Sequence, residues 1–137
     1  MKPAFDLSLY LVTDPVLLGG RDLVALVDAA VRGGVTLVQL RDKTADEHGF
    51  ADQARALLAL LRPLGIPLIV NDRVEVARWV GADGVHVGQD DLPVTETRRL
   101  IGPDKWLGLS ISNLEEMDDI PCEIVDYLGI GPVFPTG

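Results

Sequence analysis

Short apolar runs that suit β-strands alternate along this chain with segments of helical periodicity, and only a few residues connect them. This alternation is typical of repeated βα units built around a parallel sheet. The predicted strands cover residues 7–12, 36–40, 67–70, 84–87, 106–109 and 127–130. A chain of 137 residues is long enough for one domain with a hydrophobic core, so we expect a single α/β domain over residues 1–137.

Start and stop signals for helices lie between these strands. Apolar residues at helical spacing over 23–31 precede Gly33 and Gly34, which predicts a helix that ends there. Thr44 and Glu47 have the spacing of a capping box, which predicts a helix from about residue 45 to residue 61.

Three further helices are predicted in the second half of the chain. Asn113 and Glu116 suggest another helix start with Asn113 as its N-cap, and Pro121 would stop that segment. Shorter helices are expected after Asp72 and after Pro93.

Charge and composition limit the partners that this chain can have. The formal net charge of −9 argues against nucleic acid or an anionic membrane surface as a partner, because those partners require a basic patch. The apolar runs are strand-sized and residues 1–3 open no apolar signal segment, so we expect a cytoplasmic protein with small-molecule ligands. The one cysteine, Cys122, is expected to be a small buried apolar residue.

Two architectures accommodate repeated βα units, an open doubly wound sheet and a closed (β/α)₈ barrel. The positions of polar residues distinguish the two architectures. Polar residues follow six successive predicted strands, at positions 13–14, 39–43, 71–72, 89–91, 110 and 136. A doubly wound sheet would concentrate such residues at two or three strands near its switch point. The distribution therefore favours the barrel.

Gln39, Arg41 and Lys43 follow one another at every second position. If the backbone there is extended, all three side chains lie on the same face and form a cationic fork with an amide beside it. Arginine and lysine together suit a phosphate or diphosphate group. The alternative is that Arg41 and Lys43 pair with Asp42 or Asp46 on a solvated rim, and spacing alone does not decide between the two.

Two carboxylates follow neighbouring predicted strands. Asp72 comes directly after Asn71, and Asp91 follows Asp90 at the end of the next strand. Facing each other, they would suit Mg²⁺, which takes oxygen ligands and binds through one or two carboxylates together with substrate phosphates. The alternative for each aspartate is a helix N-cap or a turn residue.

Three other polar residues have a functional and a purely structural interpretation. His86 is a general acid or base by type, but the alternating pattern around it favours a packed, hydrogen-bonded histidine. Ser110 has no evident His and acid partners, so we expect a hydroxyl donor to ligand rather than a nucleophile. Thr136, in a Pro-rich and Gly-rich loop, either meets a phosphate or belongs to an ordinary turn.

Six segments occur in the order in which they are found in thiamine phosphate synthases, and the chain resembles that family over its whole length. The segments are residues 9–14, 38–43, 70–72, 81–91, 108–110 and 129–136. No one motif would suffice, but six in register make the resemblance strong. It implies a TIM barrel, with about six of the eight βα units present.

The resemblance also implies an activity and the residues that carry it. The family couples 4-amino-2-methyl-5-(diphosphooxymethyl)pyrimidine with a thiazole phosphate, through a dissociative reaction in which diphosphate leaves first and no protein nucleophile is needed. Arg41, Lys43 and Ser110 would then be catalytic, and Asp72 and Asp91 would bind Mg²⁺. The residues that resemble the family's substrate contacts are Gln39, Arg41, Lys43, Asn71 and Ser110 for the pyrimidine diphosphate, and Thr136 for the thiazole phosphate.

In the family the sequence continues beyond this point with a second Thr, a Lys and two more βα units. A TIM barrel typically needs roughly 200 residues or more, so we expect residues 1–137 to be part of a longer chain and to be inactive in coupling by themselves. The rival enzyme, a related thiazole tautomerase, would not be expected to retain Gln39, Arg41, Lys43, Asn71 and Asp72 together. A non-catalytic ligand-binding remnant is the other alternative, and the sequence does not decide between a monomer and a homo-oligomer.

Overall fold

The structure is a computed structural model that describes residues 2–136. Its strands are β1 (Tyr10–Val12), β2 (Leu37–Leu40), β3 (Leu68–Asn71), β4 (Gly84–Val87), β5 (Trp106–Ile111) and β6 (Tyr127–Ile130). Its helices are α1 (Pro15–Leu18), α2 (Leu23–Arg32), α3 (Glu47–Leu61), α4 (Val74–Val80), α5 (Val94–Ile101) and α6 (Glu115–Asp118), and a 3₁₀ turn, Arg62–Leu64, follows α3.

All six strands are parallel, and each pairs with the next strand along the chain in the order β1-β2-β3-β4-β5-β6. A doubly wound sheet reverses its strand order at a switch point. The described part of the chain has no such reversal, so the doubly wound alternative is excluded for it. The βα alternation predicted from the sequence is confirmed.

The sheet is strongly curled. The hydroxyl groups of Tyr10 on β1 and Tyr127 on β6 lie 2.6 Å apart, although these residues belong to the first and last strands. In a flat sheet the outer two of six strands would be separated by about 24 Å, because neighbouring strands lie about 4.8 Å apart. The six strands therefore form a curled half-barrel with a concave and a convex face.

The two faces of the sheet have different chemistry. The convex face carries alternate apolar residues such as Val38, Leu40 and Val70, which are buried with α2, α3 and α4 in the hydrophobic core. The concave face carries a layer of polar and aromatic side chains. Tyr10 and Tyr127 lie at the starts of β1 and β6, and they are joined to Gln39, His86 and Ser110 further along β2, β4 and β5. The period of two along each strand separates the structural face from the face that can meet a ligand.

The N-terminal residues cross the opposite end of the half-barrel, where the strands begin. Phe5 stacks on Trp106 at the start of β5, with ring centroids 4.1 Å apart, and the Trp106 indole N–H donates to the Pro3 carbonyl at 3.1 Å. Lys2 pairs with Asp126, which directly precedes β6. We call residues 2–5 the N-terminal clasp, because they join the first strand's leading segment to the last two strands.

Most helix boundaries agree with the sequence, but the predicted capping box is wrong. Asp46 caps α3 by accepting from the Gly49 amide at 2.7 Å. Thr44 instead donates its hydroxyl to Asp42 at 2.7 Å. An aspartate is as good an N-cap as a threonine, and the helix starts at Glu47 because Asp42 already holds Thr44 in the preceding turn.

Two predictions in the second half of the chain need correction. Asn113 accepts from the Glu116 amide at 2.9 Å, but the N-cap position of α6 is occupied by Leu114, and α6 is only one turn long and ends three residues before Pro121. Cys122 is exposed, so the expected buried environment is wrong.

None of the helices in residues 2–136 has the length and apolarity needed to cross a membrane.

Candidate functional site

Parallel strands in sequential order bring every strand-to-helix loop to one end of the half-barrel. The residues that follow β1 to β5 at this C-terminal edge include Asp14, Lys43, Asp72, Asp91 and Ser112. Within the described chain, this edge holds most of the predicted site residues. Two groups of contacts organise it, an acidic pair with a lysine and a hydrogen-bonded chain on the concave face.

Asp72 and Asp91 lie in side-chain contact with each other beyond β3 and β4. Burial raises the pKa of Asp72, the neighbouring Asp91 carboxylate raises it further, and Lys43 opposes both effects. The Lys43 ammonium lies 3.4 Å from Asp72 Oδ2. The structure thus brings together three residues that the sequence had placed after three different strands.

Backbone geometry holds both carboxylates in position. Asp72 has a left-handed backbone with φ 65°, which is unusual for a residue other than glycine and typical of strained functional positions. Its amide donates to the His86 carbonyl at 2.8 Å. Asp91 Oδ2 accepts from the Gly88 amide at 2.7 Å, so Asp91 also has the turn role that was its alternative interpretation, whereas Asp72 does not cap α4.

The acidic pair has the chemistry of a Mg²⁺ site. It offers two carboxylates, and no third His, Cys, Asp or Glu joins them in a metal-binding group among residues 2–136. Mg²⁺ keeps several waters and is usually held by one or two carboxylates plus ligand phosphates. The residues present therefore fit Mg²⁺ better than zinc, which needs three or four protein ligands.

Gln39, Arg41 and Lys43 do not form a single fork. β2 ends at Leu40, so the extended backbone assumed for all three positions stops before Arg41. Gln39 is 4% exposed and donates to the Tyr10 hydroxyl at 2.9 Å, while Arg41 pairs with Asp14 at 3.2 Å. The predicted rim partners Asp42 and Asp46 are wrong as well, since Arg41 pairs with Asp14 and Lys43 with Asp72.

Asp42 organises the loop that carries Arg41 and Lys43. One of its carboxylate oxygens accepts from the Thr44 amide and hydroxyl and from the Ala45 amide, at 2.7–3.0 Å, and the other accepts from Gln53 at 3.1 Å. Burial alone would raise the pKa of Asp42, but these hydrogen bonds outweigh it and lower the pKa to about 2. The loop is therefore fixed by an ionised carboxylate that lies between its two cationic residues.

His86 is packed and hydrogen-bonded, as its sequence pattern favoured. It is 7% exposed, with Nε2 2.7 Å from Ser110 Oγ and Nδ1 3.0 Å from the Tyr127 hydroxyl. Burial lowers the pKa of His86 to about 4, with the Asp91 carboxylate opposing the shift, so the imidazole is neutral at pH 7. Because the partner of Nδ1 is a phenol and not a carboxylate, the Ser110–His86 pair is not part of a Ser-His-acid triad.

Sequence reasoning missed the two tyrosines that connect these residues. Tyr10 contacts both Gln39 and Tyr127 through its hydroxyl, and burial raises the pKa of each tyrosine. The available signal was the presence of Gln39 and His86 inside otherwise apolar strands, since a buried polar side chain requires a partner. No local pattern indicates which residues those partners are.

The remaining predicted residues lie at the same end of the sheet. Asn71 is the last residue of β3 and lies level with His86 in the register of β4. Ser110 is half-buried and borders an open cleft of about 490 Å³, together with Gln89, Ser112 and Gly129. Thr136 is exposed in the segment beyond β6, near the end of the described residues.

Comparisons with known proteins agree on one family. The sequence model described as thiamine monophosphate synthase matches residues 9–137. A thiamine-phosphate synthase from Xanthobacter autotrophicus is 56% identical over 137 residues, which is all of this chain and 65% of that protein. One from Solidesulfovibrio magneticus is 57% identical over 136 residues, covering 99% of this chain and 64% of its own length.

Comparison with solved structures points to the same family. Thiamine phosphate pyrophosphorylase from Pyrococcus furiosus is 38% identical and superposes with a TM-score of 0.84, over 93% of this chain and 61% of its own. The chain spans about two thirds of the length of the relatives that it matches.

Proposed function

The chain belongs to the thiamine monophosphate synthase family, and on this basis we propose that the protein couples 4-amino-2-methyl-5-(diphosphooxymethyl)pyrimidine with a thiazole phosphate, giving thiamine phosphate and diphosphate. The observation that carries the proposal is the contact between Lys43, Asp72 and Asp91 at the C-terminal edge of the sheet. A cation beside two carboxylates suits a diphosphate held by both a basic side chain and a metal ion.

In this proposal the reaction begins with loss of diphosphate from the methylene carbon of the pyrimidine. The C–O bond breaks with its electron pair going to the diphosphate, and the ring amino group stabilises the cation that remains. The thiazole nitrogen then forms the new C–N bond. Arg41 and Lys43 neutralise the charge that grows on the leaving group, so positioning and electrostatic stabilisation account for the rate.

Asp72 and Asp91 would hold Mg²⁺, which supplies positive charge to the diphosphate when bound. Gln39, Asn71 and Ser110 would contact the pyrimidine substrate, and Thr136 would contact the thiazole phosphate. The neutral His86 beside Ser110 supports a contact that orients substrate and argues against covalent catalysis by the serine.

We further propose that the curled six-stranded sheet is part of a TIM barrel, with residues 1–137 in one domain. Sequential parallel strands with ligand-facing residues at their C-terminal ends support this architecture. The net charge of −9 supports small molecules, and neither nucleic acid nor an anionic membrane, as partners. A cytoplasmic location is part of the same proposal.

Asp91→Asn in the intact protein tests the proposal, with Asp52→Asn as the control because the Asp52 side chain is 80% exposed on α3. Thiamine phosphate formation from the two phosphorylated precursors is measured over a range of Mg²⁺ concentrations. We expect Asp91→Asn to need at least about tenfold more Mg²⁺ for half-maximal rate, in line with the effect of losing a metal-site group. Asp52→Asn should behave as the parent protein does.

Three results would contradict the proposal. Undiminished product formation after verified metal removal would rule out the acidic pair as a required Mg²⁺ site. Absence of coupling by the intact protein, with isomerisation of a thiazole carboxylate phosphate instead, would favour the tautomerase; binding of the pyrimidine diphosphate without turnover would favour the non-catalytic alternative.

A further inference from the structure

Five side chains from five strands form one unbranched chain of hydrogen bonds across the concave face. Starting at β5, Ser110 Oγ lies 2.7 Å from His86 Nε2, and His86 Nδ1 lies 3.0 Å from the Tyr127 hydroxyl. The Tyr127 hydroxyl lies 2.6 Å from the Tyr10 hydroxyl, which lies 2.9 Å from the amide nitrogen of Gln39. The chain thus joins two proposed substrate contacts, Gln39 and Ser110, through three residues that have no assigned role.

The donor at one end favours one direction for every bond in the chain. The Gln39 amide nitrogen can only donate, so the Tyr10 oxygen accepts from it. Tyr10 then donates its single hydrogen to Tyr127, and Tyr127 donates its hydrogen to His86 Nδ1. Since Nδ1 accepts, the neutral imidazole carries its proton on Nε2 and donates to Ser110 Oγ.

The opposite direction is less favourable because it leaves the hydroxyl hydrogen of Tyr10 without an acceptor. If Ser110 donated to His86 Nε2, then Nδ1–H would donate to Tyr127 and Tyr127 would donate to Tyr10. The Tyr10 oxygen would then accept from both Gln39 and Tyr127, and its own hydrogen would have no acceptor on the largely buried concave face. Buried donors are almost always paired, so the direction set by Gln39 is preferred.

We infer that this chain fixes His86 as its Nε2–H tautomer and leaves the Ser110 hydroxyl hydrogen free to donate into the adjoining cleft. The ligand of that donor is an acceptor atom of the pyrimidine diphosphate, an assignment that rests on the proposed function. Tyr127 is a positioning residue, because it acts on substrate only through His86 and Ser110. Gln39 and Ser110 are coupled in the same way, through four successive hydrogen bonds.

Tyr127→Phe and Tyr10→Phe form a matched pair of variants that separates this proposal from a merely structural role. Each removes one hydroxyl from the same network. Tyr127→Phe removes the donor to His86 Nδ1, whereas Tyr10→Phe leaves Tyr127 able to donate to it. We therefore expect Tyr127→Phe to lose the tautomer preference and Tyr10→Phe to retain it.

The tautomer is read from long-range ¹H–¹⁵N spectra of the intact protein labelled in its histidines, with His86→Gln used for assignment. The expected spectrum has an unprotonated Nδ1 and a protonated Nε2 for His86. A protonated Nδ1 in the parent protein would overturn the proposal, and so would equal tautomer changes in the two tyrosine variants. This measurement needs no substrate, so its outcome is independent of the proposed coupling activity.

Kinetics of thiamine phosphate formation test the link to Ser110. Tyr127→Phe should lower kcat/KM for the pyrimidine diphosphate by about 2- to 10-fold, the effect of one neutral hydrogen bond. In a Ser110→Ala background the same substitution should have almost no further effect, because its target is gone. Full additivity of the two substitutions in kcat/KM would show that Tyr127 does not act through Ser110, even if the tautomer is as expected. Failure of the parent protein to couple its substrates would refute the proposed function alone.

Discussion

Gly108 on β5 leaves the space in which Tyr127 and His86 meet. A Cβ at this position would overlap with the ring and hydroxyl of Tyr127 and with Nδ1 of His86. The absence of a side chain therefore lets β4, β5 and β6 bring these two residues into hydrogen-bond contact. A β-strand otherwise disfavours glycine, so the requirement here comes from close packing on the concave face.

Gly108→Ala is expected to destabilise the protein by about 1–3 kcal/mol, the usual range for overpacking. Gly129→Ala is the graded comparison, because its added Cβ would lie 3.2 Å from the nearest His86 atom and needs only a small adjustment. Urea unfolding of both variants measures the difference. Equal stability of the two variants would show that His86 and Tyr127 can move away from β5 without loss.

Arg41→Ala should affect catalysis far more than stability. The Arg41–Asp14 ion pair is substantially exposed, with side chains 39% and 29% accessible, and such pairs contribute roughly 0–1 kcal/mol. In the proposed reaction, loss of the charge-assisted bond from Arg41 to the departing diphosphate should lower kcat/KM by about 10- to 100-fold, with kcat reduced at least as much as substrate affinity. Unchanged kcat and KM would assign Arg41 to the solvated rim; Arg41→Lys separates charge from bidentate geometry.

Residue type predicted the acidic pair and the packed histidine but not their partners. Asp72, Asp91 and His86 were identifiable because carboxylates after strands and a polar residue within a buried strand each require explanation. The pairing of Arg41 with Asp14 was not, since these residues are separated by 27 positions and meet only where β1 and β2 end. Local spacing favoured the sequence neighbours Asp42 and Asp46 instead.

At the scale of elements, the loop between β2 and α3 is held by Asp42. Both carboxylate oxygens accept hydrogen bonds, and Arg73 donates to the Asp42 carbonyl at 3.0 Å. The loop thus depends on contacts with α3 and with the residue that precedes α4. Its geometry sets where Arg41 and Lys43 can reach.

Asp42→Asn should destabilise the protein by about 2 kcal/mol at pH 7, because asparagine has one acceptor oxygen in place of two and loses the charge. The pKa of Asp42 is lowered from 3.8 to about 2 in the folded protein. Its stabilising contribution is therefore complete above pH 4 and is lost as the pH falls towards 2.

Urea unfolding between pH 7 and pH 2 should accordingly show the parent protein and Asp42→Asn converging in acid. Asp52→Asn, at a largely exposed position on α3, is the control and should follow the parent protein throughout. A stability difference that stays constant down to pH 2 would contradict the role assigned to the Asp42 carboxylate.

The elements themselves were largely predictable, because the period of two in the strands and the glycines after α2 are local signals. Two errors have local physical causes. Thr44 and Asp46 are both good N-caps, and competition from Asp42 decided between them. β2 was correctly located, but a cationic fork would need the extended backbone to continue past Leu40, and the strand ends there.

At the scale of the whole molecule, curvature creates the contacts that no sequence pattern contained. Tyr10 and Tyr127 are 117 positions apart and meet because the sheet curls. The N-terminal clasp joins the same distant parts of the chain where β5 and β6 begin. The clasp and the hydrogen-bonded chain meet at Tyr127, whose ring lies 5.3 Å from that of Phe5.

Phe5→Ala should lower stability by about 1–2 kcal/mol, through loss of its stacking on Trp106 and of part of its buried surface. The Phe5 ring also lies 5.3 Å from the Tyr127 ring, so the substitution should disturb the hydrogen-bonded chain only indirectly and lower kcat/KM by less than Tyr127→Phe does. Thermal unfolding and steady-state kinetics of the intact protein measure both effects. A fall in kcat/KM as large as that of Tyr127→Phe, at unaltered stability, would contradict a mainly structural role for Phe5.

The sequential strand order also bears on how the chain acquires its structure during synthesis. Each strand pairs with a neighbour made shortly before it, over separations such as the 30 residues between Val38 and Leu68, so sheet growth involves modest loop closures. Phe5, in contrast, can stack on its partner Trp106 only after that residue has been synthesised. We therefore expect residues 2–5, which are synthesised before all six strands, to dock late and to remain free until β5 has joined the growing sheet.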